Sequence, residues 1–394
     1  MVKFEKERFV YDYLHNPLGH ITHLFIAHPL SIKLAKVFSN IFVMDCTYKI
    51  NKYSMPLLDI IGVSCFNTSF YSGFVFLERE RMKIALSVFK KTLENCEPSV
   101  IMSDRELALM NAIKMVFPNT TNLLCIWHIE KNVLANCNKH FTNTEEFDIF
   151  MSNWNNQVAI EYIKNTWLLW KEKFVSAWTE NNLHFGNRSS LRTEGAHSKL
   201  KSYLQVSTGG FQGVTEKICL AIRHEFNEIK VKLANEKIKV LLKCDTPVFR
   251  ELLYHLSHFA LKEIHIQYEK IYGTMVPCTG HFMATMGLPF AHKIQHLLGM
   301  KLSLNLIHPY WRIDTLRLNS EDDSHNDGVN KFDELLTELS SRYQMWPLSK
   351  KEFVTSMINK LLTESDTLFE PMIRRPKGRP PKSKKKKSMR PFKI

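Results

Sequence analysis

Short apolar runs bounded by polar and turn residues recur through the first third of the chain. They lie at Ile41–Met44, Leu57–Phe66, Phe70–Leu77, Val100–Met102 and Asn122–Cys125. Runs of this length predict buried strands. The turn residues at 67–69 favour an antiparallel meander of the first three strands. An earlier run at 19–27 predicts one more strand, followed by a short helix from Ser31.

Helical periodicity separates the later strands. In 78–95 apolar side chains recur every three or four residues, which predicts a helix. The sequence Ser103-x-x-Glu106 predicts a capping box that opens a second helix, which ends at Pro118. A third helix is expected from about Trp127. The order of three strands, helix, strand, helix, strand and helix is that of the ribonuclease-H-like fold, an α/β fold with a mixed sheet and helices on both faces.

Changes in composition divide the chain into regions. Strand patterns disappear between 141 and 190, where four tryptophans stand at helical spacings, so a helical insertion is expected there. The predicted regions are a lead-in at 1–40, the first part of the core at 41–140, the insertion at 141–190, the rest of the core with further helices at 191–245, a mostly helical region at 246–318, an acidic linker and helix at 319–373, and a disordered basic tail at 374–394.

The positive charge of the chain is concentrated at its C-terminal end. Of the formal net charge of +14, eleven Lys and Arg lie in 374–394 together with no acid, which leaves +3 for the rest. This distribution favours a tail that binds a polyanion over a protein that is basic throughout. The eight cysteines form no Cys-x-x-Cys pair, and no signal peptide is recognisable, so reduced thiols of an intracellular protein are expected. No apolar run reaches the roughly 18 residues of a membrane span.

Three acids stand out as candidates for chemistry. Asp45 and Asp104 each follow a predicted strand, and Glu194 opens a predicted helix at 191–201. If they converge at one end of the sheet, their carboxylates offer the hard oxygen ligands that suit Mg²⁺ or Mn²⁺. Two such ions about 4 Å apart can activate a nucleophile and stabilise the leaving oxygen of a phosphoryl displacement. A strand-end Asp, an Asp favoured by a helix dipole and a surface Glu remain the open alternative.

Four sequence blocks strengthen the catalytic interpretation. They are Asp45-Cys-Thr-Tyr-Lys, Ser103-Asp-Arg-Glu-Leu-Ala-Leu-Met-Asn-Ala-Ile, Leu124-Cys-Ile-Trp-His-Ile-Glu-Lys-Asn-Val and Arg192-Thr-Glu-Gly-Ala-His-Ser-Lys-Leu-Lys. Over roughly residues 20–320 the chain resembles the Mutator-like (MULE) transposase family. The resemblance implies a ribonuclease-H-like core with a helical insertion before the last acid. It also implies that Asp45, Asp104 and Glu194 form a metal-binding, catalytic DDE triad for DNA transposition and recombination.

Two Cys/His groups are weaker candidates. Cys125 and His128 form a Cys-x-x-His pair, which on sequence alone is a buried thiol and a packed His, since a zinc site needs about four ligands. The family carries a Cys/His motif here, so the pair ranks as a secondary site. Further on, the sequence resembles the SWIM zinc-binding segment, but Gly280 and Phe290 stand where cysteines are expected. The remaining candidates for a degenerate zinc site are Cys278, His281 and His292.

The basic tail carries a motif that resembles an AT-hook. Its Gly-Arg-Pro core is narrow enough to enter an A·T minor groove, with lysines at flanking phosphates. A run of four lysines after it resembles a nuclear-import signal. The expected nucleic-acid-binding residues are Arg375, Lys377, Gly378, Arg379, Pro380, Lys382, Lys384, Lys385, Lys386 and Lys387. A generic solvated basic tail is the alternative, and both interpretations imply DNA as a partner.

Three functions remain open from the sequence. The first is a nuclear DNA transposase with two Mg²⁺ or Mn²⁺ ions, for which a homo-oligomer on element ends is one option. The second is a domesticated relative that binds DNA and regulates transcription without cutting, like the far-red-impaired-response proteins of plants. The third is a defective copy. The intact triad favours the first, whereas the degenerate zinc segment and the mere 44 residues before Asp45 favour the others.

Overall fold

The structure is a computed structural model of the 394-residue chain. It describes residues 9–47, 53, 55–77, 82–94, 96–137, 145–146, 157–188, 195, 199, 211–275, 277–297, 300–318 and 326–363.

The described residues contain one mixed seven-stranded sheet. Its strands in chain order are β1 Val10–His15, β2 Ile21–Ala27, β3 Ile41–Thr47, β4 Leu57–Val63, β5 Ser69–Leu77, β6 Val100–Ser103 and β7 Thr121–Leu124. Across the sheet the order is β1-β2-β5-β4-β3-β6-β7. β3 runs antiparallel to β4 and parallel to β6, which is in turn parallel to β7. The meander of β3, β4 and β5 that the sequence predicts is confirmed.

Helices follow and separate the strands. Their bounds are α1 Pro29–Val37, α2 Met82–Thr92, α3 Leu107–Val116, α4 Ile126–Cys137, α5 Gln157–Thr166, α6 Ser176–Thr179, α7 Phe211–Glu236, α8 His258–Glu269, α9 His281–Met286, α10 Ala291–His296, α11 Asn326–Gln344 and α12 Leu348–Thr363. No helix in the described part of the chain is long and apolar enough to cross a membrane.

Apolar side chains cover both faces of the sheet. Successive residues of a strand point to opposite faces. On β4, Leu58 and Ile60 pack in a core cluster with α2 and α3, whereas Leu57 and Ile61 pack in a second cluster with α7. The central strands are therefore buried between two helical layers, which is why they read as continuous apolar runs rather than as alternating patterns.

The insertion docks on the β7 edge of the sheet. Trp167 and Ile163, at the end of α5, share a buried cluster with side chains of α3 and α4. The ammonium of Lys173 also donates to the backbone and side-chain oxygens of Asn122 on β7, each at 3.1 Å. The described residues of this region include α5, a 3₁₀ helix at Leu168–Lys173 and α6, and Trp154 lies outside them.

The structure corrects three local predictions. β1 is missing from the predicted strands, because its half-buried residues give no clear period. The capping box is wrong, because Ser103 belongs to β6 and Glu106 itself is the N-cap residue of α3, without a side-chain cap bond. Asp45, expected to follow its strand, lies within β3, which extends to Thr47.

Candidate functional site

The structure places Asp45, within β3, and Asp104, directly after β6, on neighbouring strands where the parallel ladder between them ends. The parallel ladder between β3 and β6 ends at the pair Met44 and Ser103, and each aspartate is the residue that follows. Neighbouring strands lie about 4.8 Å apart. The ladder continues one strand further, because Ser103 pairs with Leu124 and the backbone N–H of Cys125 donates to the Ser103 carbonyl at 2.9 Å. Asp45, Asp104 and Cys125 therefore stand in one row.

Asp45 lies on β3, an interior strand of the sheet between β4 and β6. Its side chain is buried, and its Oδ1 accepts a hydrogen bond from the backbone N–H of Cys46 at 3.0 Å. On β4, the fully buried Asp59 stands directly opposite Asp45. Because paired residues of an antiparallel ladder share a face, two aspartates occupy one buried patch of the sheet.

Asp104 forms a tight turn with Glu106. Its Oδ1 accepts the backbone N–H of Glu106 at 3.2 Å, an Asx turn that leads into α3. Burial raises the pKa of the Asp104 carboxyl, and the nearby charge of Glu106 raises it further. His128 and the hydrogen bond from Glu106 lower the same pKa to a smaller extent. Asp104 is thus under repulsion from a second carboxylate, which a cation would offset.

The pKa of the Cys46 thiol responds to acidic side chains at both strands. Burial raises the pKa of its thiol, followed by the charge of Glu106, a hydrogen bond with the Glu106 side chain, and the charges of Asp104 and Asp45. The charges of three carboxylates therefore reach the Cys46 thiol, which burial keeps protonated at physiological pH. Glu106 is a member of this cluster, although its spacing in the sequence predicts a helix cap.

Cys125 and His128 stand beside this acidic cluster. Cys125 is buried, and its Sγ accepts the backbone N–H of His128 at 3.4 Å. His128 is half-buried and close enough to lower the pKa of Asp104. Its ring meets the Trp127 ring edge-on, with centroids 4.9 Å apart. The pair therefore frames the site next to Asp104.

The third predicted acid, Glu194, lies outside the described residues. Its neighbours Gly195 and Lys199 are both helical. The ammonium of Lys199 is 3.4 Å from Oε1 of Glu225 and 3.9 Å from Oε2 of Glu228, both on α7. These ion pairs connect Lys199 to α7, the helix that covers one face of the sheet.

Glu225 is a buried carboxylate that accepts a hydrogen bond from the backbone of the sheet. Its Oε2 accepts the backbone N–H of Tyr71 at 3.0 Å, where an irregularity in the β4–β5 ladder occurs. Burial raises the pKa of Glu225 to about 7, against the opposing effects of the Tyr71 hydrogen bond and of Lys199. The backbone group released by the ladder irregularity is thereby satisfied by a side chain from α7.

The carboxylate oxygens of Asp45 and Asp104 are the type of ligand that suits a hard divalent cation. Among the described residues no three Cys, His, Asp or Glu side chains come together closely enough to hold a metal ion. Asp45 and Asp104 nevertheless supply carboxylate oxygens from adjacent positions, and oxygen ligands are those preferred by Mg²⁺ and Mn²⁺. The sequence predicts Glu194 as the third carboxylate of this set.

The candidate zinc residues Cys278, His281 and His292 lie in or near the short helices α9 and α10. Cys278 is exposed. His281 begins α9 and forms an ion pair with Glu180 of the insertion. His292 lies on α10, which buries Ala291 and Ile294 in the core. The AT-hook-like motif and the lysine run lie outside the described residues.

Two residues of the acidic cluster give no usable signal in the sequence. Glu106 follows Asp104 at a spacing that also fits a helix cap, and Cys46 resembles any buried strand cysteine. Asp59 is visible only as an acid that interrupts an apolar run. An isolated acid within an otherwise apolar strand is recognisable in the sequence as unusual, because burying a carboxylate is costly without compensating partners.

Known proteins resemble this chain over the segment that carries these site residues. The MULE transposase domain family matches residues 41–132, a segment that contains Asp45, Asp104, Cys125 and His128. Protein FAR-RED IMPAIRED RESPONSE 1 of Arabidopsis thaliana is 24% identical over 52% of this chain and 27% of its own length. Protein FAR1-RELATED SEQUENCE 11 of the same plant is 22% identical over 51% of this chain and 30% of its own.

A third relative covers more of the chain at lower identity. The PKS-NRPS hybrid synthetase cheA of Chaetomium globosum is 20% identical over 72% of this chain but only 8% of its own length. The chain thus spans less than a third of the length of each of these curated relatives. The chain is thus similar to the MULE transposase domain over residues 41–132 and to the two plant relatives over about half of its length.

Proposed function

We propose that this chain is a DDE-type DNA transposase, which hydrolyses phosphodiester bonds at the ends of a mobile element and then joins the freed 3′-hydroxyl to target DNA. The observation that carries the proposal is the adjacency of Asp45 and Asp104 at the end of the parallel β3–β6 ladder. Carboxylates at the carboxyl ends of neighbouring strands occupy the usual position of chemistry in an α/β sheet.

The topology of the sheet supports a ribonuclease-H-like core. In the order β5-β4-β3-β6-β7, the first strand of the meander, β3, is central. Its neighbour β4 is antiparallel to it, whereas β5, which is antiparallel to β4, and the strands β6 and β7 run in the same direction as β3. β1 and β2 extend this five-stranded unit beyond β5. Asp45 would then be the acid on the central strand and Asp104 the acid on its parallel neighbour.

The residues that would hold divalent ions are Asp45, Asp104 and Glu194. When bound, a pair of Mg²⁺ or Mn²⁺ ions supplies an activated water or 3′-hydroxyl and stabilisation of the leaving oxygen. The chain contributes orientation: Asp45 is fixed by the central strand, and Asp104 is fixed by its turn with Glu106. The protonated Cys46 thiol is a hydrogen-bond partner of Glu106 rather than a competing soft ligand.

DNA binding is expected to be shared between this core and the basic tail. The eleven cations of 374–394 would contact phosphates at any sequence, and Arg379 would enter an A·T minor groove. A nuclear location follows from a DNA substrate and from the lysine run at 384–387.

The proposal is tested by the substitution Asp104→Asn. The amide oxygen of the introduced side chain can still accept the Glu106 N–H, so the turn and the fold should survive, while one negatively charged ligand is lost. We expect Mg²⁺- or Mn²⁺-dependent nicking of DNA by the wild type and a loss of at least about 100-fold in Asp104→Asn. Asp12→Asn, on the far edge strand β1, is the matched control and should nick normally. Equal nicking by all three proteins would overturn the proposal.

The second candidate is a DNA-binding regulator without catalysis. The observation that favours it is that the two plant relatives bear far-red-response names rather than transposase names. This function predicts that the wild type binds DNA with no metal-dependent nicking, and that Asp104→Asn binds DNA equally well. Nicking by the wild type that Asp104→Asn abolishes decides for the transposase.

A further inference from the structure

Arg105 stands between Asp104 and Glu106, yet its side chain is engaged by the helical insertion. Its guanidinium carbon lies 4.5 Å from the centroid of the Trp167 ring. Its Nη1 also donates to the backbone carbonyl of Thr166 at 2.8 Å. A stacked guanidinium that also donates a hydrogen bond is held in both distance and orientation.

The partners of Arg105 are themselves well fixed. Thr166 is the last residue of α5, and a cation is favoured at the carbonyl end of a helix. Trp167 is 3% exposed and belongs to the buried cluster that joins α5 to α3 and α4. The contact therefore connects the turn beside Asp104 to a packed part of the insertion, 61 residues further along the chain.

The position of Arg105 makes this contact relevant to Asp104. Arg105 is the middle residue of the turn that Glu106 N–H and Asp104 Oδ1 close at 3.2 Å. A side chain anchored at the middle of so short a turn limits the rotation of the turn as a whole. It thereby limits the directions in which the Asp104 and Glu106 carboxylates can point.

We propose that Arg105 is a positioning residue, through which Trp167 and Thr166 of the insertion set the orientation of the Asp104–Glu106 turn. The turn then presents Asp104 in one direction, and the insertion serves as part of the site's support. The effect on catalysis rests on the proposed function, whereas the effect on the turn does not.

The effect on the turn is measured by backbone hydrogen exchange in the full chain. In Arg105→Ala, exchange of the amides of 104–107 and of 165–168 should be faster than in the wild type, and in Arg105→Lys the acceleration should be smaller. Lys171→Ala is the matched control, because Lys171 also stacks on a tryptophan of the insertion, Trp178 at 5.1 Å, away from the turn. Unchanged exchange at 104–107 in Arg105→Ala would overturn the proposal.

The effect on catalysis is measured by the kinetics of metal-dependent nicking. Displacing Asp104 by a fraction of an ångström should lower kcat roughly 10- to 100-fold in Arg105→Ala, with KM for DNA unchanged and partial rescue in Arg105→Lys. If Arg105 instead contacts a phosphate, KM rises and the salt slope of DNA binding falls by about one unit, which overturns the positioning role. A loss of thermal stability with unchanged kcat also overturns it. If the wild type does not nick at all, the proposed function fails, and the exchange data alone decide on the turn.

Discussion

At the scale of single residues, the site is a place where like charges are held together. Burial and Glu106 raise the pKa of Asp104, and the charges of Glu106, Asp104 and Asp45 add to burial in raising the pKa of the Cys46 thiol. Such an arrangement costs stability in the absence of a counter-ion, because carboxylates in one site disfavour each other's ionisation. Strongly perturbed groups gathered at one sheet edge are more common at functional sites than in structural cores.

Glu225 makes a prediction about the pH dependence of stability. Its folded pKa of about 7 lies above the unfolded value of 4.5, so its contribution to stability is full below pH 4.5 and is lost as the pH rises through 7. The loss amounts to at most about 3 kcal/mol. We expect Glu225→Gln, which has no charge to bury, to flatten the decline in the free energy of unfolding between pH 4.5 and 7.

Urea unfolding at a series of pH values measures this effect. Glu228→Gln is the matched control, because Glu228 also pairs with Lys199 but is 38% exposed, and it should keep the wild-type profile. Parallel profiles for Glu225→Gln and the wild type would show that burial of Glu225 is not what sets this part of the curve.

At the scale of single elements, most strands can be predicted from the sequence, whereas the site can be predicted only in part. The runs that form β3 to β6 are largely buried on both faces, so each gives a nearly continuous apolar signal. β1 is an edge strand with half-buried residues, and its pairing with β2 is decided by tertiary context. Asp45 and Asp104 are visible because each interrupts the end of an apolar run.

Glu106 shows why the rest of the site is hidden. A Glu three residues after a Ser fits a capping box, but the strand β6 extends through Ser103 and uses that residue in its ladder. The Asp104 side chain then closes the turn in place of the serine. Which of two local interactions forms is decided by where the sheet ends, which a local pattern does not encode.

Gly62 gives a prediction about the packing of β4 against β5. Gly62 is paired with Phe70, and a Cβ at Gly62 would stand 2.3 Å from the Phe70 ring. We expect Gly62→Ala to lower the free energy of unfolding by about 1–3 kcal/mol, because Phe70 is buried and cannot move without disturbing the core.

Gly73→Ala on β5 is the matched control for this strand pair. There a Cβ would meet the Phe25 ring at 3.4 Å, which is an ordinary contact, so little change in stability is expected. If urea unfolding gives equal losses for the two variants, the Phe70 ring does not fill the space above Gly62.

At the scale of the whole molecule, a nearly neutral body is joined to a strongly basic end. Deleting 374–394 removes eleven cations, and we expect DNA binding to weaken at every sequence and its salt dependence to flatten. Arg379→Ala should reduce the preference for A·T-rich DNA, whereas the control Lys386→Ala should weaken binding evenly across sequences. Fluorescence anisotropy at several salt concentrations measures both effects. An unchanged salt slope after the deletion would remove the tail from the account of DNA binding.

The central claim is that Asp45 and Asp104 together hold divalent ions for chemistry on DNA. Titration of Mn²⁺ into the full-length protein, followed by electron paramagnetic resonance, tests this most directly. We predict Mn²⁺ binding by the wild type and by Asp12→Asn, weakened about tenfold or more in both Asp45→Asn and Asp104→Asn. Equal Mn²⁺ binding by all four proteins, or none by the wild type with DNA present, would contradict the claim.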